Sequence, residues 1–315
     1  MKRFLTLTLA LIMVLSAMFG MVACGNDATN DGNGTEAGTG AAATSDYNFG
    51  KELLSVTSQL DALNGLKKGD ADIAVIDSVM AGYYMNDTTA FGDYQVLGGV
   101  VFAEEEYGIG AKKGNDALIG KINEAMIALV DSDYKTVAET YGLTTELLVK
   151  ADTTNPQAEA TDGSWDAVVA AKKLVVGYTV FAPIAYTDGD GADAQLKGFD
   201  IDLVKAVVAY LNEQYSAEVE VEFVVIDWNQ KEALLENGSI DLVWNGMTIT
   251  EERKANMAMS VPYLANKQVA IIKKTDAEKY ACTDYDSFVA KATDAIIIVE
   301  KGSAGEGLVL PATEE

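Results

Sequence analysis

The residues best placed to do chemistry in this chain are an arginine, an aspartate and a glycine-rich turn; histidine is absent from all 315 residues. Arg253 ends the run Thr248-Ile-Thr-Glu-Glu-Arg253. Its guanidinium is a planar fork that matches both oxygens of a carboxylate, although beside Glu251 and Glu252 a lone arginine also reads as a surface ion-pair partner. Asp77 follows the apolar run Ile73–Ile76. Open α/β sheets place ligand-facing groups at the carboxyl ends of such strands; a helix N-cap before Ser78 explains the same residue. Without histidine, Ser-His-Asp and Cys-His nucleophiles and imidazole metal sites are excluded together, while carboxylate chemistry stays open. Asp188-Gly-Asp190-Gly opens like a calcium loop, but Phe199 stands where the closing glutamate belongs, so no metal is expected. Gly302-Ser-Ala-Gly-Glu-Gly307 lacks the Gly-Lys-Ser/Thr ending of a P-loop, and no cofactor is expected.

The elements that must position these residues follow from apolar spacing. Short β-branched runs predict buried strands at 73–76, 174–177, 219–226, 240–244, 269–272 and 296–299. Between them, Leu203, Val204, Val207, Val208 and Leu211 share one helix face, with Asp200 as the expected N-cap. Leu118, Ile119, Ile122, Met126 and Leu129 form another face behind Asn115 or Asp116, and Gly142 is placed to end the helix that follows. This alternation of strands and helices predicts an α/β architecture. Residues 151–163 are polar, hold Asn155-Pro156 and lack apolar period, which predicts a linker.

The N-terminus reads as a targeting segment. Lys2 and Arg3 precede an apolar run to Val22, and Ala23 precedes Cys24, the pattern of a signal peptide over residues 1–23; an uncleaved membrane anchor is the competing reading. Residues 25–46 are mostly Gly, Asn, Asp, Thr and Ala, too polar to bury a core, so 24–47 is expected to be a flexible tether. Past Cys24 the chain has only Cys282, read as a small half-buried residue. The net charge of −25 opposes nucleic-acid binding, which depends on Lys and Arg at phosphates, and suits a soluble extracytoplasmic protein.

Three segments together carry a resemblance: Lys173-Leu-Val-Val-Gly-Tyr178 with Phe181-Ala-Pro183, Gly198-Phe-Asp-Ile-Asp-Leu203, and Ile240-Asp-Leu-Val-Trp-Asn-Gly-Met-Thr-Ile-Thr-Glu-Glu-Arg253 with Pro262-Tyr263. They resemble the first lobe of the bacterial amino-acid-binding proteins that serve ABC transporters (family 3, type II periplasmic-binding fold). Lys301-Gly-Ser-Ala-Gly-Glu306 resembles that family's second-lobe turn. The continuation occurs near the N-terminus instead, at Leu60 to Asp77 and Tyr107-Gly-Ile-Gly110. The resemblance therefore implies a two-lobed fold in circularly permuted order. Residues 164–274 would be the first part of lobe 1 and 275–315 the first part of lobe 2. Residues 48–106 would complete lobe 2, and 107–150 would supply a crossover strand and the closing helices of lobe 1, with hinges near Lys274 and Tyr107–Lys112. A truncated tandem, or halves exchanged between two chains, would give the same order. Met21-Val22-Ala23-Cys24 resembles a lipoprotein signal, implying a lipid anchor at Cys24.

The same resemblance implies site residues. Arg253, with Thr248, would hold a ligand α-carboxylate, and Asp77 the α-ammonium. Asn245, Gly246, Ser303, Ala304 and Gly305 would supply backbone or hydroxyl contacts, Phe181 an aromatic wall, and Lys231 or Trp244 side-chain contacts. Trp228 and Tyr263 read rather as core, and one residue fewer between Gly177 and Pro183 puts any contact from Thr179 in doubt. The implied activity is capture of a polar free amino acid by a membrane-tethered monomer for an ABC permease, without catalysis. A carboxylate-driven lyase on the same scaffold and a ligand-sensing receptor subunit are the alternatives.

Overall fold

The computed structural model describes residues 47–85, 90–189 and 191–311. The signal segment, Cys24 and the tether lie outside the described residues, as does Asp190 of the loop at 188–191. The strands in chain order are β1 (Glu52–Val56), β2 (Ile73–Asp77), β3 (Tyr94–Val96), β4 (Ala103–Lys112), β5 (Lys173–Tyr178), β6 (Tyr186–Asp188), β7 (Gln195–Lys197), β8 (Glu220–Val225), β9 (Leu242–Thr248), β10 (Met257–Met259), β11 (Leu264–Lys273) and β12 (Ile296–Glu300). All but β6 and β7 join one sheet in the order β1-β12-β2-β11-β4-β9-β5-β8, with β3 on β11 and β10 on β4.

That sheet has two halves, each a parallel set with helices packed on it. In one, β12 lies between β1 and β2, parallel to both. In the other, β5 lies between β8 and β9, parallel to both. The strands are apolar because both faces are covered: Ile73, Ala74, Val75 and Ile76 are all buried, as are Leu174, Val176, Leu242 and Val243. Two long strands cross between the halves. The first part of β11 (264–268) pairs antiparallel with β4 (103–107), and its second part pairs with β2. The remainder of β4 pairs with β9 and β10. The crossing therefore lies at 103–107 and 264–268, upstream of Lys274, which sits past the end of β11.

One local expectation needs correction. Asp200 does not cap its helix: the helix runs Phe199–Tyr215 with Gly198 at the N-cap. Glycine is required there, because φ is 137° and a Cβ would come within 2.2 Å of the Ile184 carbonyl oxygen. The Asp200 carboxylate turns inward instead, where it accepts hydrogen bonds from the Gly246 N–H and the Tyr263 hydroxyl, each at 2.8 Å. The stretch 151–163 is polar but docked. Asn123 donates to Asn155 and Gln157, and Asn155 donates to the Gly120 carbonyl at 2.8 Å. Asp162 accepts from the Ala117 N–H at 2.7 Å, on the first turn of helix Asp116–Ala128. It thus supplies the cap that Asn115 does not.

A cap of this kind contributes about 1 kcal/mol. Asp162→Ala should therefore lower stability in urea unfolding by about that amount, while the exposed Glu159→Ala stays within about 0.5 kcal/mol of the parent.

Candidate functional site

The carboxyl ends of the parallel strands in both halves open onto one cleft. It is lined by Gln59, Asp77, Gln268, Glu300, Ser303 and Ala304 on one side, and by Thr179, Phe181, Trp228, Asn245, Gly246, Thr248 and Arg253 on the other. Each strand delivers its group at or just past its last residue. Asp77 ends β2, Glu300 ends β12 and Thr248 ends β9, while Gln59, Thr179 and Trp228 follow β1, β5 and β8.

Arg253 sits on the short helix Glu251–Asn256, which Thr250 caps by accepting the Arg253 N–H. The guanidinium is buried. Nη1 donates to the Thr248 carbonyl at 2.7 Å, and Nη2 reaches across the cleft to the Gly302 carbonyl at 3.3 Å. Lys231, also buried, donates to the same Gly302 carbonyl at 3.2 Å and to the Trp228 carbonyl at 3.3 Å, with its ammonium 4.9 Å from the Trp228 ring centre. Burial and the neighbouring Arg253 push the Lys231 ammonium down to about 8; burial also lowers Arg253. Both cations thus hold the two sides together through one carbonyl.

Asp77 faces amides. Its Oδ2 accepts from Gln59 Nε2 at 2.5 Å, and its Oδ1 accepts from Asn266 Nδ2 at 2.6 Å and from Gln268 Nε2. Its own N–H donates to Gln59 Oε1 at 2.9 Å. It stands at an N-cap position but makes no side-chain cap bond. Glu105 on β4 shares the network, accepting from Thr248 Oγ1, Asn266 and Gln268 at 2.9 to 3.0 Å. Burial first, then the nearby Glu105 charge, raises the Asp77 carboxyl to about 7. Burial raises Asp200 to about 7 as well. Burial and then the Asp77 charge raise Glu300 to about 8.

The remaining expected residues divide. Asn245 lines the cleft, but its amide is engaged by Thr179. In the orientation that satisfies both ends it accepts from Thr179 Oγ1 at 2.8 Å and from Thr179 N at 3.1 Å, and donates to Thr179 O at 3.2 Å. Gly246 has φ of 60°, and a Cβ there would approach Phe181 to 2.7 Å and Tyr107 to 3.0 Å, so only glycine lets these rings close the wall. Ser303 lines the cleft while its hydroxyl caps helix Ala304–Val309 by accepting the Glu306 N–H. Ala304 lines it with the first turn of that helix. Gly305 is buried behind, where a Cβ would stand 3.0 Å from Gln268 Oε1. Trp244 lies fully in the core and does not line the cleft. Tyr263 is core too, whereas Trp228 and Thr179 reach the cleft wall. Gln59, Glu105, Asn266, Gln268 and Glu300 were not singled out from sequence. Glu300 had the signal that marked Asp77, an acidic residue directly after a β-branched run.

Comparison with known proteins matches residues 174–304 to the model of bacterial extracellular solute-binding proteins, family 3. A probable histidine-binding protein of Neisseria gonorrhoeae is 34% identical over 94 residues, covering 30% of this chain and 32% of that protein. The arginine-binding extracellular protein ArtP of Bacillus subtilis is 33% identical over 104 residues, covering 33% of this chain and 37% of its own. Among solved structures, an ABC uptake transporter substrate-binding protein from Streptococcus pneumoniae with bound histidine is 35% identical, covering 30% of this chain and 36% of that one, with a TM-score of 0.26. The matched part thus spans about a third of the length of the curated relatives.

The raised carboxyls set a pH dependence. Unfolded carboxylates titrate near 4, so between about pH 5 and 8 the folded protein holds protons that the unfolded chain has released, and stability must fall as pH rises. Thermal unfolding of ligand-free protein should show a Tm that declines across this range. Asp200→Asn, which keeps one oxygen for both donors, should flatten the decline; an unchanged slope would remove Asp200 as a source.

Proposed function

We propose, from the family 3 solute-binding segment at residues 174–304 and the cleft it lines, that this protein captures a free polar amino acid and presents it to an ABC permease. The observation that carries this reading is the placing of buried Arg253 and buried Asp77 in one enclosed cleft. A free amino acid is a carboxylate and an ammonium on one carbon. Arg253 offers a fork to the carboxylate, and Thr248, whose hydroxyl donates to Glu105, lines the cleft beside it. Asp77, held by amides and touching no cation among its hydrogen-bond partners, offers its oxygens to the ammonium. A ligand ammonium would favour the ionised form of Asp77, converting a carboxyl held near neutrality into one half of an ion pair. Phe181 and Trp228 would close the apolar flanks. The relatives named for histidine and arginine binding support a ligand with a polar side chain. Hinge bending across the 103–107 and 264–268 crossing would open and close the cleft, with Gly302 meeting Arg253 and Lys231 in the closed form. Cys24 would tether the protein to a membrane, and no catalytic step is needed.

The chain order is part of the proposal: residues 164–311 followed by 47–150 would be the ancestral arrangement. Two contacts support it. Asn48 donates its N–H to the Val309 carbonyl at 2.7 Å and its side-chain amide to the Leu308 and Leu310 carbonyls at 2.9 Å, so the two segments meet where the older chain would have been continuous. Residues 151–163, docked on helix Asp116–Ala128, would be the newer join. Permutation is tolerated when ends meet at a surface in this way.

Trp228 at the cleft wall gives a fluorescence signal for binding. Arg253→Ala and Asp77→Ala should each weaken amino-acid affinity by at least about 2 kcal/mol, roughly 30-fold, because each leaves a charge without its partner. Near-native affinity in either variant would refute the clamp. A chain rebuilt as 164–311 joined by a short linker to 47–150 should melt cooperatively and bind the same amino acid; a rebuilt chain that binds nothing would contradict the permutation.

A further inference from the structure

Once Arg253 and Asp77 are assigned to the two charged groups that every amino acid shares, the cleft still holds a carboxyl with an oxygen that nothing in the protein engages. Glu300 lines the cleft at the end of β12, is 4% exposed, and its Oε1 has no hydrogen-bond partner in the protein. The register of β12 against β2 sets Ile298 beside Ala74, so Glu300 and Asp77 leave the sheet from adjacent strands at nearly the same level. Lys231 and Arg253 lie near enough to favour its charged form, but Lys231 directs its hydrogen bonds to the Trp228 and Gly302 carbonyls. Gln59, the amide between them, gives an N–H to Asp77 at 2.5 Å and also meets the Glu300 carboxyl, which leaves Oε1 without a donor.

A buried carboxyl oxygen without a donor is costly, and a ligand that supplies the missing N–H recovers that cost on binding. Charge balance points the same way. The cleft wall carries the carboxyls of Asp77 and Glu300 and the cation of Arg253, with Glu105 and Lys231 just behind. With all five groups ionised, a zwitterion with a neutral side chain leaves this set with one negative charge in excess, whereas a ligand with one further positive charge balances it. An acidic side chain would enlarge the excess and face Glu300 directly.

We infer that Glu300 is the specificity-determining residue of the cleft and that it selects an amino acid with a positively charged side chain, ammonium, guanidinium or imidazolium. The inference rests on the amino-acid-binding reading of the same cleft. Glu300 is a positioning and recognition group, not a catalytic one.

The test is calorimetric titration of residues 24–315 and of Glu300→Gln with arginine, lysine, histidine, glutamine and glutamate. The wild type should bind at least one of the first three more tightly than glutamine and reject glutamate. Glu300→Gln should lose roughly 30-fold or more for the cationic ligand while glutamine changes by less than about 5-fold. Because the variant replaces a buried, ionisable carboxyl with a neutral amide of the same shape, its Tm should be no lower than the parent's, which separates loss of recognition from loss of fold. Titration of the wild type in two buffers of different ionisation enthalpy adds a readout that a structural role would not move. The raised Glu300 carboxyl should release protons when a cation arrives, and Glu300→Gln should release fewer. Wild type that prefers glutamine or glutamate, or a variant that keeps its cationic preference, would overturn this inference and leave the amino-acid clamp standing. Wild type that binds none of the five would overturn both.

Discussion

The antiparallel pairing of Ala103–Tyr107 with Leu264–Gln268 is the constraint on which the rest of the cleft depends. It joins the two halves of the sheet, so the carboxyl ends of two separate parallel sets face one another. It also supplies the groups that hold the cleft's charges. Asn266 and Gln268 project from one crossing strand and Glu105 from the other, and all three meet between Asp77 and Thr248. A mechanical link and a polar network are thus one element. Any bend at the crossing must move Asp77 relative to Arg253.

The electrostatics of the site follow from how its charges are partnered. Asp77 is surrounded by neutral amide donors, which orient it without neutralising it. Arg253 and Lys231 converge on a single carbonyl, which fixes their positions but leaves both charges in excess at that point. Such an arrangement is poor for the stability of the empty protein, since desolvated charges are stabilised mainly by opposite charges. It is well suited to an occupant that brings both signs. Burial first, and like charges nearby second, raise the carboxyls of Asp77 and Glu300 and lower the Lys231 ammonium to about 8.

Much of this was legible in the sequence because strand ends and helix faces leave local signatures. The apolar run before Asp77 and the Thr248–Arg253 segment pointed to two residues that line one cleft. The crossing strands were harder. Residues 103–107 read Ala-Glu-Glu-Glu-Tyr, with no apolar alternation, because there only one pairing partner and half-buried faces shape the sequence. β1 was hidden for the same reason, as a half-exposed edge strand. Asp200 was misplaced as a cap because local rules favour an acidic residue at a helix start, while a buried hydrogen-bond network claimed it instead. Residues 151–163 read as a linker with no sign of their docking, because they dock through side-chain amides and not through apolar period. Trp244 and Gly305 were drawn to the site by their neighbours in sequence, yet strand alternation and helix geometry turn them into the core.

The most direct measurement is thermal unfolding of residues 24–315, alone and with each of the twenty amino acids. Ligand at about 100 times its Kd adds roughly 2.7 kcal/mol to the stability of the folded state, a shift of several degrees. A single cooperative transition raised by one or a few polar amino acids, and by no others, is the result this account predicts. A cooperative transition that no amino acid moves would contradict it, because a cleft holding Arg253 and Asp77 for an amino acid cannot bind one without being stabilised.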